Sequence, residues 1–377
     1  MGCVSAAGND LASNLASLRE GRSGIGPVEG FDGRGFRART AGEVRGLRLP
    51  PRVRRWSRAA GMLFAAVREA LDARPGFSPD WIVLGMTGGG MELGEQFFHA
   101  AAGGAGGPGG PAYGRAARRV RGYLPQVPVN DVAHALGIRA PVRIVSNACA
   151  SGADAIGLGW QLVSSGAARR VLAGGCDGLS RFVYGGFDCL QALTPGVCRP
   201  FDRARDGLTL GEGAAVLLLE NEGAVRVAGY GAASDTHHLT QPHPDGRGPL
   251  AAMRRALAAA ATDVSEVGHV NAHGTATVQN DACEAAALRA LGVTAPVTST
   301  KALTGHALGA AGAIEAVFSC LSILHGFVPA TLNYTEPDEG VRLDIVSGGA
   351  RAVSQRVVVS NSFGFGGANA SLVFQRA

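Results

Sequence analysis

Several features that would place this chain in other classes of protein are missing from its sequence. No apolar run reaches the roughly 18 residues that a membrane-spanning helix needs, and the N-terminus lacks the basic stretch and apolar core of a secretory signal. The seven cysteines include no CxxC pair, and their spacings, like those of the histidines, match no metal-ligand pattern. We therefore expect free thiols in a reducing cytoplasm, with neither a metal site nor a membrane association.

Lysine is almost absent, because Lys301 is the single lysine among 35 lysine and arginine residues. Codon bias in a GC-rich genome replaces lysine with arginine, and one surviving lysine could be chance. Codon bias does not explain where it survives, which is five residues before His306 in a Gly- and Ala-rich segment. Lysine offers a compact charge whose pKa a site can tune, whereas arginine is planar and always charged, so we favour a functional role for Lys301.

The remaining basic residues include two arginine clusters in a chain with a formal net charge of +5. With 377 residues, of which 46% are apolar and 17% charged, the chain is globular and core-rich. One cluster contains Arg52, Arg54, Arg55 and Arg58, and the other contains Arg115, Arg118, Arg119 and Arg121. A solvated face is the ordinary explanation, and nucleic acid is disfavoured because no aromatic-interleaved basic module accompanies the clusters. An acidic protein partner is the third interpretation.

Apolar strand-like runs alternate with Ala-rich helical stretches, which indicates an α/β layered fold. The predicted strands cover residues 81–85, 142–146, 170–174, 213–220 and 355–360. The predicted helices cover residues 58–73, 152–165, 248–262, 281–291 and 308–325. The segment 100–111 is almost pure Gly, Ala and Pro and predicts a flexible surface loop.

A faint internal repeat indicates two related halves. Residues 145–154 and 359–369 both run from an apolar strand through Ser-Asn into a turn of small residues. A duplication would give two similar α/β halves that join near residues 221–231, so we divide the chain into residues 1–225 and 226–377. The repeat alone is weak support, since strand-turn patterns of this kind recur often.

Cys149 is the cysteine that a predicted turn places at a reactive position. The strand that ends at Ser146 leads into Asn-Ala-Cys149-Ala-Ser-Gly and then into a helical segment. A thiol on a sharp strand-to-helix turn, at a helix N-terminus, is expected to have its pKa lowered from about 8.5, giving the nucleophilic thiolate. The ordinary interpretation, a small buried apolar residue, is assigned to the other six. These are Cys3, Cys176, Cys189, Cys198, Cys283 and Cys320.

Two histidines follow strand-like segments, where their side chains can reach a shared pocket. His273 lies in Val-Asn-Ala-His273-Gly-Thr-Ala-Thr, and His306 lies on the next such loop, just before a helix. A single histidine is more often structural than catalytic. Two on successive loops, together with Lys301 and Cys149, favour a catalytic site.

Hydroxyl groups and a glycine-spaced turn complete the candidate site. Thr275 and Thr277 follow the first histidine and could hold an amide-rich ligand. The tail Asn-Ser-Phe363-Gly-Phe365-Gly-Gly follows a predicted strand, and its backbone N–H groups are free to form an oxyanion hole. This turn and the three glycines at 88–90 could instead cradle phosphate, but neither has the spacing of a nucleotide-binding loop.

In this order, the motifs resemble those of the β-ketoacyl-acyl-carrier-protein synthases, the elongating ketosynthases of the thiolase superfamily. The family combines a cysteine on an elbow, His in HGTxT, Lys in STK, His in GH and a GFGG tail, and the resemblance covers nearly the whole chain. It implies a thiolase-like α/β fold whose duplicated halves form a five-layered α/β/α/β/α arrangement. It also implies an acyltransferase that makes 3-oxoacyl-carrier protein in bacterial fatty acid, polyene or other type II polyketide synthesis.

The resemblance implies a role for each catalytic residue. Cys149 would hold the acyl chain, while His273 and His306 would flank the malonyl thioester and assist its decarboxylation. The resulting carbanion would attack the acyl-cysteine. Lys301 would fix the two histidines and add positive potential. The N–H groups of Cys149 and Phe365 would form the oxyanion hole, and Phe365 would also gate the acyl pocket.

Substrate and partner contacts are implied as well. Thr275 and Thr277 would bind the phosphopantetheine arm, which arrives on the acyl-loaded or malonyl-loaded acyl carrier protein, so no cofactor is expected on the enzyme itself. Further substrate contacts are expected from Phe363, Gly364 and Gly366. The acidic carrier protein would dock on a basic face that contains Arg54, Arg55 and Arg205.

The chain departs from the family in two places. Where relatives often close the pocket with an apolar side chain, this chain has Gly88, which implies a longer acyl pocket near a dimer interface. Family members also begin with an apolar strand before the segment that matches residues 1–8. We therefore expect either a start further upstream or another segment in the place of that strand.

Alternative functions differ in which residues they require. The dimer is either a homodimer or a heterodimer in which this chain is the catalytic partner of a chain-length-determining subunit. A non-catalytic subunit is disfavoured because Cys149, His273, Lys301 and His306 are all present. Starter-type relatives pair histidine with asparagine, and a hydrolase would need an orienting acid near the histidines, for which no candidate stands out.

Overall fold

A computed structural model describes residues 1–102 and 111–377 of the chain. The strands are β1 (Gly2–Ser5), β2 (Gly26–Pro27), β3 (Thr40–Ala41), β4 (Trp81–Gly85), β5 (Val142–Val145), β6 (Val171–Asp177), β7 (Gly213–Leu219), β8 (Val225–Ser234), β9 (His269–Asn271), β10 (Val297–Thr298), β11 (Phe327–Val328), β12 (Arg351–Ala352), β13 (Val357–Gly364) and β14 (Ala368–Arg376). The helices are α1 (Leu11–Glu20), α2 (Arg58–Asp72), α3 (Met91–Ala101), α4 (Pro111–Arg119), α5 (Gln126–Ala135), α6 (Ser151–Ser164), α7 (Arg181–Cys189), α8 (Arg247–Ala259), α9 (Val278–Leu291), α10 (Lys301–Thr304) and α11 (Ala311–His325).

Two five-stranded sheets with the same topology form the framework of the fold. The first sheet has the order β5-β4-β6-β7-β1, and the second has the order β10-β9-β13-β14-β8. In both sheets the first three strands of this order are parallel, and the last two pair antiparallel with their neighbours. Numbered within its own half, each sheet therefore reads 3-2-4-5-1. This identity of topology agrees with the predicted fold of duplicated halves.

Helices form three layers around these sheets. Helices α6 and α11 lie between the two sheets and contact strands of both. Helices α2 and α5 cover the first sheet. Helix α8 packs on β8 and β14 of the second sheet, and α9 packs against α8. The result is the predicted α/β/α/β/α arrangement, whose central core is filled by side chains such as Ile156, Val317 and Phe318.

The central helix corrects one expectation from the sequence. The segment Leu308–His325, a 3-10 turn followed by α11, is long and apolar enough to cross a membrane by length and composition. In this fold 89% of that segment is buried. A helix that is apolar on all sides is also what the interior of a large α/β protein requires. Its composition is therefore accounted for by its place between the two sheets.

All predicted strands and helices occur, with ends that differ by a few residues. Two other expectations need correction, and a third falls mainly outside the described residues. Residues 145–154 lead from β5, the third strand of the first half, whereas residues 359–369 join β13 and β14, so the internal repeat matched segments that are not equivalent. The predicted loop at 100–111 is flanked by α3 and α4, and its residues 103–110 lie outside the described residues. Residues Gly2–Ser5, which we took to follow a missing strand, themselves form β1 and pair with β7.

Candidate active site

Cys149 lies on a strained turn between β5 and α6. The preceding residue, Ala148, has φ 46°, a left-handed conformation that costs energy for any residue with a Cβ. The hydroxyl of Ser151, the first residue of α6, donates to the Ala148 carbonyl at 2.6 Å and accepts the Asn147 N–H at 2.8 Å. These bonds hold the strained turn, so the structure has the sharp strand-to-helix turn that the sequence predicted, which we call the elbow.

The expected lowering of the Cys149 pKa is wrong for this structure. Cys149 is only 7% exposed, and burial raises the pKa of its thiol to about 11. The positive charge of Lys301 and the backbone N–H of Phe365 both act in the opposite direction, but burial outweighs them. The sequence showed a turn at a helix N-terminus but not how deeply the turn is buried. In the resting site Cys149 is therefore a neutral thiol.

His273 and His306 supply two imidazoles in this site. Their ring centroids lie 5.3 Å apart with the planes nearly perpendicular, at 85°. Burial, followed by the charge of Lys301, holds the pKa of each histidine well below its ordinary value, so both rings are neutral at physiological pH. Among residues 1–102 and 111–377, Nδ1 of His273 and both ring nitrogens of His306 have no hydrogen-bond partner. These atoms are therefore available to a substrate or a transferred proton.

Lys301 is buried near the two histidines and does not line the cavity that contains them. It begins α10, its side chain is 1% exposed, and its Nζ lies 2.5 Å from Oε1 of Glu315 on α11. Its charge lowers the pKa values of Cys149, His273 and His306. Lys301 thus supplies positive potential to the site while an anion compensates its own charge.

Glu284 is a site residue that the sequence analysis missed. It lies on α9 and accepts the backbone N–H groups of His273 at 2.9 Å and Gly274 at 2.8 Å. The side-chain amide of Asn361 donates to it at 3.1 Å, and burial raises the pKa of Glu284 to about 7. We expected no acid near the histidines, but this one holds the main chain of His273 and does not orient its ring. Its only sequence signal is its place on the helix that follows the His273 loop.

The glycine-spaced tail closes over the elbow. A Cβ on Gly364 would lie 3.0 Å from the Cys149 backbone nitrogen, so glycine permits this close approach. The backbone N–H of Phe365 points to the Cys149 sulfur. The Phe365 ring stacks on Phe187 of α7, with centroids 5.5 Å apart and planes at 19°. The next residue, Gly366, has φ 80°, which lets the chain turn back towards β14.

One cavity of about 290 Å³ joins most of the predicted site residues. Its wall contains Cys149, His273, Thr275, Thr277, His306, Phe363, Gly364, Phe365 and Gly366. The two threonine hydroxyls lie 2.9 Å apart on that wall. Gly88 is not part of the wall but lies buried in the turn after β4, where a Cβ would sit 3.7 Å from Oδ1 of Asp177.

The three predicted docking arginines occupy different environments. Arg54 and Arg55 are exposed on the 3-10 turn Val53–Arg55. Arg205, in contrast, is 6% exposed and donates to Asp338 at 2.5 Å and to the Asp202 carbonyl at 2.9 Å. Its placement on a docking face is therefore wrong, because the side chain is buried and its two terminal nitrogens donate to neighbouring loops. Sequence alone did not distinguish an exposed arginine from a buried one.

The two arginine clusters meet in space. A groove of about 240 Å³ is lined by Arg55 and Trp56 on one side and by the second cluster on the other. The second side contributes Arg118, Arg119 and Arg121. All four arginines are exposed, so segments more than sixty residues apart in sequence form one basic surface, which we call the arginine groove.

Comparisons with known proteins agree with this geometry. The family model described as "Beta-ketoacyl synthase, N-terminal domain" matches residues 1–224, and "Beta-ketoacyl synthase, C-terminal domain" matches residues 224–335. The chain is 36% identical over 418 residues to a 3-oxoacyl-[acyl-carrier-protein] synthase 2 of Vibrio harveyi. It is 33% identical over 413 residues to the enzyme of that name from Staphylococcus aureus. Both alignments cover 100% of this chain and 97% of the relative.

Solved structures give the same result. The ishigamide ketosynthase/chain length factor matches with a TM-score of 0.92 and 32% identity, covering 100% of this chain and 97% of the other. A ketosynthase (ApeO) in complex with its chain length factor (ApeC), from Xenorhabdus doucetiae, matches with a TM-score of 0.87 and 31% identity, covering 100% and 96%.

Proposed function

The chain belongs to the β-ketoacyl synthase family, and from this premise we propose that it condenses an acyl chain with malonyl-acyl carrier protein to give the 3-oxoacyl-carrier protein. One observation carries the proposal. A thiol on a strained elbow shares a cavity with two neutral imidazoles, and three of their ring nitrogens have no hydrogen-bond partner within the described part of the chain. A nucleophile with bases near it is the arrangement that acyl transfer needs.

In the first half-reaction, Cys149 attacks the thioester of the acyl-carrier protein. Because the thiol is neutral when buried, its proton must pass to a base, and a neutral histidine of the cavity is the available acceptor. The C–S bond to the carrier breaks, the new bond to the Cys149 sulfur forms, and the proton leaves with the carrier thiol. The backbone N–H groups of Cys149 and Phe365 stabilise the oxyanion of the intermediate.

In the second half-reaction, malonyl-carrier protein loses carbon dioxide next to the two histidines. The electron pair of the broken C–C bond gives an enolate, whose oxygen receives hydrogen bonds from His273 and His306. The charge of Lys301 favours this anion. The enolate carbon then attacks the acyl-cysteine carbonyl and expels the Cys149 thiolate, which takes up a proton from solvent to regenerate the neutral thiol of the resting enzyme. The chain leaves two carbons longer on the carrier protein.

The carrier protein brings the phosphopantetheine arm, and this proposal requires no cofactor on the enzyme. Thr275 and Thr277 lie on the cavity wall with their hydroxyls facing each other, where they can bind the amides of that arm. We assign the docking surface to the arginine groove together with Arg54, because acidic carrier proteins require a positive partner surface. The buried thiols would stay reduced in the cytoplasm, where we expect the enzyme to act.

We propose that the chain pairs with a second ketosynthase-like subunit. Within the described residues, no strand pairs with the outer edge of β5, the strand that leads to Cys149. An edge strand with free N–H and C=O groups is a ready surface for another chain. Two of the similar solved structures are a ketosynthase with its chain length factor, which favours a heterodimer in a polyketide pathway as the second candidate. The homodimer of a fatty acid enzyme is the other possibility.

Intact-protein mass spectrometry tests the proposal. Wild type and Cys149→Ala would be incubated with a series of acyl-carrier proteins and then with malonyl-carrier protein. We expect an acyl adduct on wild type only, which is discharged into a 3-oxoacyl-carrier product. If wild type gave no adduct with any donor, alone or co-expressed with a ketosynthase-like partner, the proposed function would be wrong. Native mass measurement of the co-expressed proteins separates homodimer from heterodimer.

A further inference from the structure

Asp177 lies at the end of β6 with its carboxylate wholly buried beneath two turns of the site. It accepts the backbone N–H of Thr87 at 3.0 Å and of Gly89 at 2.5 Å, both in the turn that follows β4. It also accepts the N–H of Gly309 at 2.7 Å, in the 3-10 turn just after His306. One side chain of the first half thus binds a turn from each half of the chain.

The first of these turns supports the nucleophile. The Thr87 hydroxyl donates to the carbonyl of Ala148 at 2.9 Å, and Ala148 is the residue with φ 46° that precedes Cys149. This bond adds to the one that Ser151 makes to the same carbonyl. The elbow is therefore connected through Thr87 to Asp177, and a displacement of one would move the other.

The second turn supports His306. A Cβ on Gly309 would lie 2.7 Å from Oδ2 of Asp177 and 2.8 Å from the Thr87 backbone nitrogen, so this turn is pressed against both residues. The preceding residue, Leu308, has φ 53°, a conformation that persists only where the surroundings enforce it. Since only two residues separate His306 from Gly309, the position of the turn limits the position of the imidazole.

We propose that Asp177 is a positioning residue that holds the Cys149 elbow and the His306 turn at the separation that condensation requires. The inference rests on the proposed function and extends it to a residue with no place in the chemistry. Asp177 is not on the cavity wall, and its oxygens are occupied by N–H donors, so it acts through its neighbours. Carboxylate bonds to N–H groups are about twice as strong as neutral ones, and a misplacement of about 1 Å can cost roughly 100-fold in rate.

The Asp177→Asn variant tests this arrangement with little change of volume. An amide has a single acceptor oxygen, which we expect to face Gly89, the closest donor, while Thr87 stays within reach of it. The NH₂ group then faces the Gly309 N–H, and two donors repel. The His306 turn should move while the elbow keeps its support. We expect malonyl-carrier decarboxylation to fall about 10-fold or more, with acylation of Cys149 changed less than about threefold.

The Thr87→Val variant tests the connection between Asp177 and the Cys149 elbow. It keeps the shape of the side chain but removes the hydroxyl that supports Ala148. We expect the reverse pattern, in which acylation falls more than decarboxylation. Acylation is followed as adduct formation, and decarboxylation as conversion of malonyl-carrier to acetyl-carrier protein without an acyl donor. Glu69→Gln is the matched control, because Glu69 also accepts two backbone N–H groups, from Cys3 and Leu11, but none from the site.

The outcomes separate the inference from the proposed function. Opposite effects of Asp177→Asn and Thr87→Val on the two half-reactions would support the inference. Parallel losses of both half-reactions in Asp177→Asn, or no loss, would overturn it. If Asp177→Asn failed to fold, the Thr87→Val pattern alone would decide, and unchanged acylation in that variant would refute the proposal. A wild type without either half-reaction would instead contradict the proposed function.

Discussion

Lys301 Nζ lies 2.5 Å from Glu315 Oε1, in an ion pair whose side chains are 1% and 4% exposed. The pair therefore does two things. It compensates a charge that would otherwise be buried alone, and it leaves a positive potential that reaches Cys149, His273 and His306. We expect stability to depend on the ion pair and activity to depend on the positive potential, so variants can separate the two.

We predict that Lys301→Met lowers the free energy of unfolding by about 3–5 kcal/mol, because it leaves Glu315 as an unpaired buried acid. The double variant Lys301→Met/Glu315→Leu should recover most of that loss, since two apolar side chains need no compensation. It should not recover decarboxylation. Denaturant unfolding measures the first effect, and formation of acetyl-carrier protein measures the second. Recovery of activity in the double variant would show that the positive charge is dispensable.

Glu284 should make stability and activity change in opposite directions with pH. Its folded-state pKa of about 7 lies above its ordinary value of 4.5. Between these values the folded state binds more protons than the unfolded state, so the Glu284 contribution to stability decreases as pH rises. Activity should increase over the same window, because the carboxylate accepts the His273 and Gly274 N–H groups better than the acid does.

The Glu284→Gln variant isolates this contribution from that of Asp177, which titrates with a pKa of about 6. Glutamine keeps the size and does not titrate, so the difference between wild type and variant reports Glu284 alone. We expect a lower rate and a flatter pH profile for the variant from about pH 5 to 8. Profiles that stay parallel would mean that Glu284 does not titrate in this range.

The sequence was sufficient to predict which motif residues meet in one cavity, but it was insufficient for properties that depend on burial. Cys149, His273 and His306 could be found because strand-end loops and a glycine-spaced tail are local patterns. The pKa of Cys149 could not be found, because the two halves that bury it meet only in the fold. The same reason explains Arg205, which has the sequence of a docking residue and the environment of a core ion pair.

Two buried acidic residues show most clearly what could not be predicted from the sequence. Glu284 lies in α9 and Asp177 lies at the end of β6, and no local sequence pattern distinguishes this helix or this strand end from others. Both are recognisable only because the fold directs several backbone N–H groups at one buried carboxylate. The internal repeat between residues 145–154 and 359–369 was misleading for a related reason, because similar local sequences lie at different strand positions in the two halves. The similarity of the halves is visible only in their common strand order.

Charge reversal in the arginine groove should weaken use of carrier-bound substrates alone. We predict that Arg55→Glu/Arg119→Glu raises KM for acyl-carrier protein about 3- to 10-fold and flattens its dependence on salt, because fewer attractive charge pairs remain for salt to screen. Acylation by a small thioester that lacks a carrier should not change. Arg226→Glu, an exposed arginine on β8 outside both clusters, is the control. Equal losses with the small thioester would place the groove in catalysis rather than docking.

Gly88 tests whether the acyl chain extends beyond the visible cavity. A Cβ at this position would lie 3.7 Å from Asp177 Oδ1 and 3.8 Å from Val183 Cγ2, which are ordinary contacts, so a Cβ is accommodated there without a close approach. The next glycine differs, since Gly89 has φ 53° and a Cβ there would lie 2.6 Å from the Met86 sulfur. Gly88 is therefore the position where the pocket can be narrowed with the least damage to the fold.

We predict that Gly88→Phe shortens the longest chain that the enzyme accepts and that Gly88→Ala shortens it less. The physical reason is steric, because a phenyl ring fills the space through which a long chain would pass. Acylation by a short donor such as acetyl-carrier protein should be unaffected, which controls for the elbow. The cavity of about 290 Å³ does not reach Gly88 in the resting structure. We expect a long chain to displace the Phe365 ring from Phe187. An unchanged chain-length profile would mean that the acyl group takes a route that does not pass Gly88.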